Sequence, residues 1–111
     1  GQPGRVHVRY WSDLGASGSY NLVINATAAG VTGGAIDLPF SILAPRGACY
    51  DLSYAKAATS FVAWARAAGA EQALDGLGML VEQAALAYAI WFHQRPESEP
   101  VYAALRADLD R

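Results

Sequence analysis

The chain has 111 residues, of which 53% are apolar and 16% charged, a composition typical of one modest globular domain rather than of a disordered segment. Its 8 basic and 10 acidic residues give a net charge of −2, which leaves no basic surface for nucleic acid and no polybasic segment for an anionic membrane. The longest strongly apolar run, residues 86–92, is far shorter than the roughly 20 residues of a membrane-spanning helix, and the first residues lack the pattern of a secretory signal. We therefore expect a cytoplasmic protein that binds neither nucleic acid nor membranes.

The first half of the chain predicts short strands separated by glycine-rich loops. Residues 6–10 predict a strand that begins almost at the first residue. Residues 20–27 form an apolar run without strict alternation, which is typical of a strand covered on both faces in a parallel sheet. Residues 37–43 predict a short helical segment ended by Pro45, and residues 47–52 a second short strand.

The second half of the chain is mainly helical in pattern. Residues 59–68 place their aromatic and alanine side chains at helical spacing, and Gly69 is suited to end that helix. Residues 72–75 predict a brief strand. A long apolar helix is expected over residues 79–93 and an amphipathic one over residues 101–109, where the preceding proline and Ser98 or Glu99 suit a helix start.

This order of elements indicates an α/β fold with parallel strands and right-handed crossovers. The two closing helices follow one another without a strand between them, so we expect them to pack elsewhere than on the sheet. Ligands of such sheets bind beyond the carboxyl ends of the strands, here the loops at residues 25–30, 51–54 and 75–78. Small residues in these loops either allow a ligand to approach the backbone or simply turn the chain.

One amide stands among the apolar residues of the long helix. On a helix that starts near Gly78, Gln83 shares a face with residues at i, i+3 and i+4 spacing, namely Met79, Leu86, Ala87 and Ile90. A buried amide without a partner costs about 1–3 kcal/mol, so we expect Gln83 to have one. Spacing alone favours a backbone partner in a core or interface, and the alternative is a polar ligand.

The residue pattern supplies no chemical centre, and we predict no catalytic residue in this chain. Gly76 and Gly78 lack the third glycine of a dinucleotide-binding loop. His7 and His93 have no further ligand at the spacing of a metal site, so no metal is expected. The single cysteine, Cys49, lies in an apolar run without a basic neighbour, which predicts a buried and unreactive thiol.

Taken in order, the three loops resemble the C-terminal half of the shikimate dehydrogenase family. The residues that carry the resemblance are Ile24-Asn-Ala-Thr27 with Gly30, Tyr50-Asp51 with Tyr54, Thr59 with Phe61, and the run from Asp75 to Ala85, with further similarity at Trp91, Pro96, Pro100, Val101 and Leu105. The resemblance extends over about residues 20–109, and the run from Asp75 to Ala85 is its most specific part.

The resemblance implies a two-domain NADP-dependent oxidoreductase that interconverts 3-dehydroshikimate and shikimate in aromatic amino acid biosynthesis. The implied fold is α/β, with the back half of a Rossmann-like parallel sheet followed by two C-terminal helices. Residues 1–74 would be the back half of the NADP-binding domain, and residues 75–111 would be helices that return to the substrate domain. The family's catalytic lysine and aspartate and its glycine-rich cofactor loop would lie upstream, so we expect the 111-residue chain alone to be inactive.

The resemblance also implies the roles of individual residues. Tyr54 and Gln83 would bind the substrate, which reverses the preference for a backbone partner of Gln83. The nicotinamide side of the cofactor would be lined by Thr27, Leu52, Gly76, Met79 and Leu80. Three positions depart from the family's usual serine, methionine and proline, namely Ala28, Leu52 and Ser60.

The strand order of the implied fold leaves a gap in this chain. In the doubly wound order 3-2-1-4-5-6, residues 6–10 would be strand three and residues 22–25 strand four, without the strands that separate them. The apolar edge at residues 22–24 should then pair with another strand, and we expect self-association. Two other functions stay open: a quinate/shikimate dehydrogenase that uses NAD, and a non-catalytic binding or assembly module derived from the same fold.

Overall fold

The computed structural model describes residues 6–16, 18–28, 30 and 36–110. A three-stranded parallel sheet has the order β1-β2-β3, with β1 at Tyr20–Asn25, β2 at Leu43–Asp51 and β3 at Gln72–Leu74. The α-helices are α1 (Thr59–Ala67), α2 (Leu77–Phe92) and α3 (Glu99–Leu109), and short 3-10 segments occupy Trp11–Ala16, Phe40–Ile42 and Ala55–Ala58. The predicted α/β class, with parallel strands and two successive closing helices, is confirmed.

Strand β2 contains a bulge near its beginning. Tyr20 of β1 pairs with Leu43 and Leu22 pairs with Ala48, so four residues of β2 (44–47) lie opposite the single residue Asn21. Pro45, which has no N–H to donate, lies within this bulge, as a proline inside a strand is expected to do. The helical segment predicted over residues 37–43 is present only as the 3-10 turn Phe40–Ile42, and the predicted strand start at residue 47 was wrong, because the bulge lets the strand begin at Leu43, before the proline.

The main core lies where α1 packs against β2 and β3. Its buried side chains are Ile42, Leu43, Cys49, Phe61, Trp64 and Ala65. The rings of Phe61 and Trp64 stack with centroids 5.6 Å apart, and Trp64 Nε1 donates a hydrogen bond of 2.8 Å to the Leu38 carbonyl oxygen. Cys49 is buried as predicted, and that burial raises the pKa of its thiol.

The helix ends follow the sequence signals closely. Gly69 follows α1 in the left-handed conformation (φ 87°), which glycine adopts without a steric penalty. Ser98 occupies the N-cap position of α3 and Pro100 lies in its first turn, as expected. These residues stop α1 and start α3 within one or two residues of the predicted boundaries.

Helix α2 is apolar on nearly every side but only partly covered. It packs against α3, and its buried side chains are Leu77, Val81 and Ala85. Several large apolar side chains of α2 are exposed, namely Met79, Leu86, Ile90, Trp91 and Phe92. Within the described residues, no helix is both long and apolar enough to cross a membrane. An all-apolar helix is expected to be covered on more than one side.

Residues 6–10 do not form the predicted strand. Val6, Val8 and Tyr10 are at least 81% exposed, and the chain turns into the 3-10 segment Trp11–Ala16. A strand is stable only with a hydrogen-bonded neighbour, and the described sheet contains β1, β2 and β3 alone. The alternating apolar residues of this segment have no described strand beside them on which to pair.

Candidate functional site

A buried amide and a buried carboxylate join the ends of β1 and β2. Asn25 Nδ2 donates a hydrogen bond of 3.0 Å to Asp51 Oδ2, and both side chains are buried. The other Asp51 oxygen accepts the Ser53 backbone N–H at 2.7 Å. Asn25 Oδ1 accepts both the backbone N–H and the hydroxyl of Thr27 at 3.1 and 2.7 Å. This network fixes the first turn of each loop relative to the other.

Backbone contacts add the third loop to the same edge of the sheet. The Leu52 N–H donates to the Asn25 carbonyl oxygen at 3.1 Å, and the Gly76 N–H donates to the Ser53 carbonyl oxygen at 2.7 Å. A Cβ atom placed on Gly76 would lie 2.5 Å from the Leu52 carbonyl oxygen. Glycine is therefore required sterically here, and the loops after all three strands meet at the carboxyl edge, as predicted.

An ion pair ties helix α3 to the junction between β3 and α2. Both terminal guanidinium nitrogens of Arg106 donate to the carboxylate of Asp75, Nη2 at 2.6 Å and Nη1 at 2.9 Å. The same carboxylate accepts the backbone N–H groups of Leu77 at 3.2 Å and Ala55 at 3.4 Å. Although burial alone would raise the pKa of Asp75, the hydrogen bonds from Arg106, Leu77 and Ala55 lower it overall. The pKa of Arg106 is raised, chiefly by its hydrogen bond to Asp75, so the pair is ionised at neutral pH.

The residues predicted to face the cofactor lie at or near this edge. Thr27 and Leu52 are in the loops that follow β1 and β2, and Gly76 is in direct backbone contact with Leu52. Met79 and Leu80 are in the first turn of α2, where the Leu80 N–H donates to the Gly76 carbonyl oxygen at 3.0 Å. Leu52, Met79 and Leu80 all keep a large part of their apolar surface exposed.

The residues predicted to bind substrate are both exposed. Tyr54 lies in the loop after β2, directly before Ala55, whose N–H is held by Asp75. Gln83 lies in the second turn of α2, where its Nε2 donates a hydrogen bond of 3.1 Å to the Leu80 carbonyl oxygen. The amide therefore has the backbone partner that its spacing favoured, but Gln83 is exposed, because the covered face of α2 is the one that carries Val81 and Ala85.

A cleft lies beside this edge, lined in part by Ala55, Asp75 and Gly78, the chain neighbours of Tyr54, Gly76 and Met79. It has a volume of about 730 Å³ and lies between α1 and α3, with Lys56, Arg66, Tyr102 and Arg106 among its lining residues. None of the seven predicted ligand-binding residues lines it. A smaller cleft of about 240 Å³ between α2 and the start of α3 is lined by one of the seven, Leu80.

Metal ligands are not clustered in the part of the chain that the structure describes. No group of three or more His, Cys, Asp and Glu side chains is close enough there to hold an ion. Two carboxylates lie at the edge, Asp51, which is buried, and Asp75, which is partly buried. Both accept hydrogen bonds from N–H donors. Their role in the described chain is to fix the loops.

Sequence reasoning missed the partner of Asp75. Arg106 is 31 residues away from Asp75 in the sequence. Its i−4 and i+4 neighbours on α3, Tyr102 and Asp110, make it read as an ordinary exposed helical residue. The pairing of Asn25 with Asp51 was also missed, although both residues were placed in ligand-facing loops. A polar residue at the last position of two neighbouring parallel strands was the available signal, because such residues lie side by side.

Comparison with known proteins gives a consistent set of similarities. Residues 76–106 match the family model described as the shikimate 5'-dehydrogenase C-terminal domain. The chain is 47% identical over 110 residues to the shikimate dehydrogenase (NADP(+)) of Xylella fastidiosa strain Temecula1, and 51% identical over 109 residues to that of Xanthomonas euvesicatoria pv. vesicatoria. These matches cover 97% and 96% of this chain but only 39% and 38% of the relatives.

The fold is similar to that of a solved structure from the same group. The crystal structure of shikimate 5-dehydrogenase from Thermus thermophilus in complex with shikimate matches with a TM-score of 0.65 and 34% sequence identity. The match covers 82% of this chain and 34% of the Thermus chain. The Rossmann-like assignment of the sheet is thereby confirmed.

Proposed function

Because the chain corresponds over nearly its whole length to the C-terminal portion of shikimate dehydrogenases, we propose that it is part of an oxidoreductase that interconverts 3-dehydroshikimate and shikimate with NADP(H). The observation that carries the proposal is the meeting of three loops at the carboxyl edge of the sheet, with residues 76–106 matching the family model. In this proposal residues 1–74 belong to the cofactor domain, and residues 75–111 lead back to a substrate domain.

The exposed side chains at the edge fit the nicotinamide end of the cofactor. Leu52, Met79 and Leu80 offer apolar surface to a flat ring, and the Thr27 hydroxyl is fixed by Asn25 beside them. Gly76 keeps the backbone of the third loop against Leu52, so no side chain stands between the loops. When bound, NADP(H) would supply the hydride, and these residues would orient its ring and exclude water.

The substrate ligands in the proposal are Tyr54 and Gln83. Both side chains are exposed and carry a group that can donate a hydrogen bond to a hydroxyl or carboxylate. Gln83 Nε2 now donates to the Leu80 carbonyl oxygen of its own helix, where an exposed side chain exchanges that bond easily for a ligand. A substrate that binds both residues would contact the loop after β2 and helix α2 together.

A direct spectrophotometric assay tests the proposed activity. The full-length protein that contains this chain should reduce NADP⁺ in the presence of shikimate, measured by absorbance at the nicotinamide band, whereas the 111-residue chain alone should not. Parallel assays with NAD⁺ and with quinate serve as controls for cofactor and substrate. Absence of NADP⁺ reduction by the full-length protein would refute the proposal, and turnover by the isolated chain would refute the assignment of catalytic residues elsewhere.

We extend the proposal to the β1 side of the sheet, where the described residues form no further strand. β1 has a described neighbour, β2, on one side, and its Leu22 and Ile24 side chains are more than half exposed. Such an edge takes up a further strand, so the isolated chain should self-associate. Sedimentation of the isolated chain tests this, and a well-folded monomer of 11.7 kDa would contradict it.

A cytoplasmic location completes the proposal. It is supported by the single cysteine, which is buried and has no second cysteine in the chain with which to form a disulfide. Fractionation of cells that express the full-length protein, with detection by antibody, would test the location. Recovery in a membrane or extracellular fraction would contradict it.

A further inference from the structure

The carboxylate of Asp75 joins three parts of the molecule that the proposed site needs to hold together. It accepts the N–H of Ala55 in the loop after β2 and the N–H of Leu77 at the start of α2. It also accepts a bidentate pair of hydrogen bonds from Arg106 of α3. One side chain thus sets the spacing between the loop that carries Tyr54 and the helix that carries the other proposed ligand-binding residues.

The backbone beside Tyr54 depends on such support. Ala55 has a φ of 55°, a left-handed conformation that costs a residue with a Cβ roughly 1–2 kcal/mol. Conformations of this kind persist only where the surroundings hold them. The 3.4 Å bond from the Ala55 N–H to Asp75 is one of the contacts that do so, and it holds the backbone directly after Tyr54.

The guanidinium of Arg106 also contacts a side chain of its own helix. Its Nη2 donates to the Tyr102 hydroxyl at 3.3 Å, and its central carbon lies 5.4 Å from the centre of the Tyr102 ring. Tyr102 lies one turn earlier on α3, so the planar group is held by α3 as well as by the carboxylate. The pair is also partly shielded, with side-chain exposures of 28% for Arg106 and 13% for Asp75.

We infer that Arg106 is a positioning residue, which acts through Asp75 to set Tyr54 relative to Met79, Leu80 and Gln83 on α2. This inference rests on the proposed function, because those residues are there assigned to substrate and cofactor. Arg106 is not among the residues proposed to touch either ligand. Its loss should weaken the binding of both ligands while the protein remains folded.

Calorimetry of full-length variants tests the inference with shikimate and NADP⁺ as the titrants. The test variant is Arg106→Gln, and the matched control is Arg95→Gln, which removes the exposed 2.8 Å pair between Arg95 and Glu82. A residue that only stabilises the fold would lower the number of binding sites and leave the dissociation constant unchanged. A positioning residue changes the dissociation constant at an unchanged number of sites.

We expect Arg106→Gln to raise both dissociation constants about fivefold with full stoichiometry, and Arg95→Gln to leave them unchanged. The inference would be overturned if Arg106→Gln had the dissociation constants of the wild type, or if it lowered only the number of binding sites. Either result would leave the proposed function standing. Absence of binding by the wild-type protein would overturn both. Should Arg106→Gln fail to fold, Arg106→Lys takes its place in the test. Lysine keeps the positive charge but cannot form the bidentate hydrogen bonds, so Arg106→Lys should still raise both dissociation constants at least about twofold.

Discussion

Replacement of Gly76 by alanine should separate the loops at the carboxyl edge of the sheet. The new Cβ would lie 2.5 Å from the Leu52 carbonyl oxygen, 2.8 Å from the Leu52 carbonyl carbon and 3.1 Å from the Asp51 carbonyl oxygen. All three are backbone atoms that cannot rotate away, and the 2.7 Å bond from the Gly76 N–H to Ser53 holds the two loops together. Because the φ of Gly76 is −87°, the penalty is steric rather than conformational.

Overpacking of this kind costs about 1–3 kcal/mol, and we expect Gly76→Ala to lie in the upper half of that range because the collision is with backbone. The matched control is Gly78→Ala, two residues along the chain. There the nearest atom to the new Cβ is Tyr102 Cε2 at 3.9 Å, an ordinary contact. Since Gly78 is within α2, alanine should stabilise the protein by about 0.5–1 kcal/mol.

Equilibrium unfolding in urea measures both variants, followed by far-UV circular dichroism and by tryptophan fluorescence, to which the buried Trp64 contributes. The two free energies of unfolding should change in opposite directions. Equal changes, or a Gly76→Ala variant as stable as the wild type, would refute the steric argument. Ligand affinity should fall in Gly76→Ala as well, because Leu52 would be displaced.

Three further predictions concern single side chains. Gln83→Ala should raise the Michaelis constant for shikimate roughly tenfold while the free energy of unfolding changes by less than about 0.5 kcal/mol, because the side chain is exposed; Glu82→Ala is the control, and an unchanged constant would contradict the assignment. The pKa of Asp75 is lowered by folding, so its stabilising effect is present above the unfolded pKa and is lost as the pH falls through the folded one. Urea unfolding between about pH 5 and pH 2 should therefore show a steeper loss of stability in the wild type than in Asp75→Asn, and parallel curves would argue against the shift. Cys49 should react with a thiol reagent only as fast as the protein unfolds, and rapid labelling of the native protein would show that the thiol is accessible.

Sequence reasoning succeeded where local signals determine the structure. The apolar run at residues 20–25 forms β1, although most of the strand is exposed rather than covered on both faces as predicted. The helical spacing of Phe61 and Trp64 marks α1, and Gly69 marks its end. The specific motif from Asp75 to Ala85 likewise located a loop that meets the other two at the sheet edge. In these cases the neighbours along the chain supply most of the constraint.

Prediction failed where the outcome depends on a partner that is distant in sequence or missing from the described sheet. The alternation of residues 6–10 suits a strand, but no described strand lies beside it. The face of Gln83 was predicted as covered, whereas the packing of α2 covers Val81 and Ala85. The bond between Asp75 and Arg106 spans 31 residues, and no periodicity in the chain reveals it.

The bulge in β2 separates chain-length variation from the ligand edge. Residues 44–47 lie opposite a single residue of β1, while the register from Leu22 with Ala48 to Asn25 with Asp51 is regular. An insertion or deletion in the bulge could be absorbed there, whereas the same change after Ala48 would move Asp51 to the opposite face of the sheet. A change of length at residues 44–47 should therefore leave Asp51 in place, whereas the residue count between Ala48 and Asp51 determines which face of the sheet Asp51 occupies.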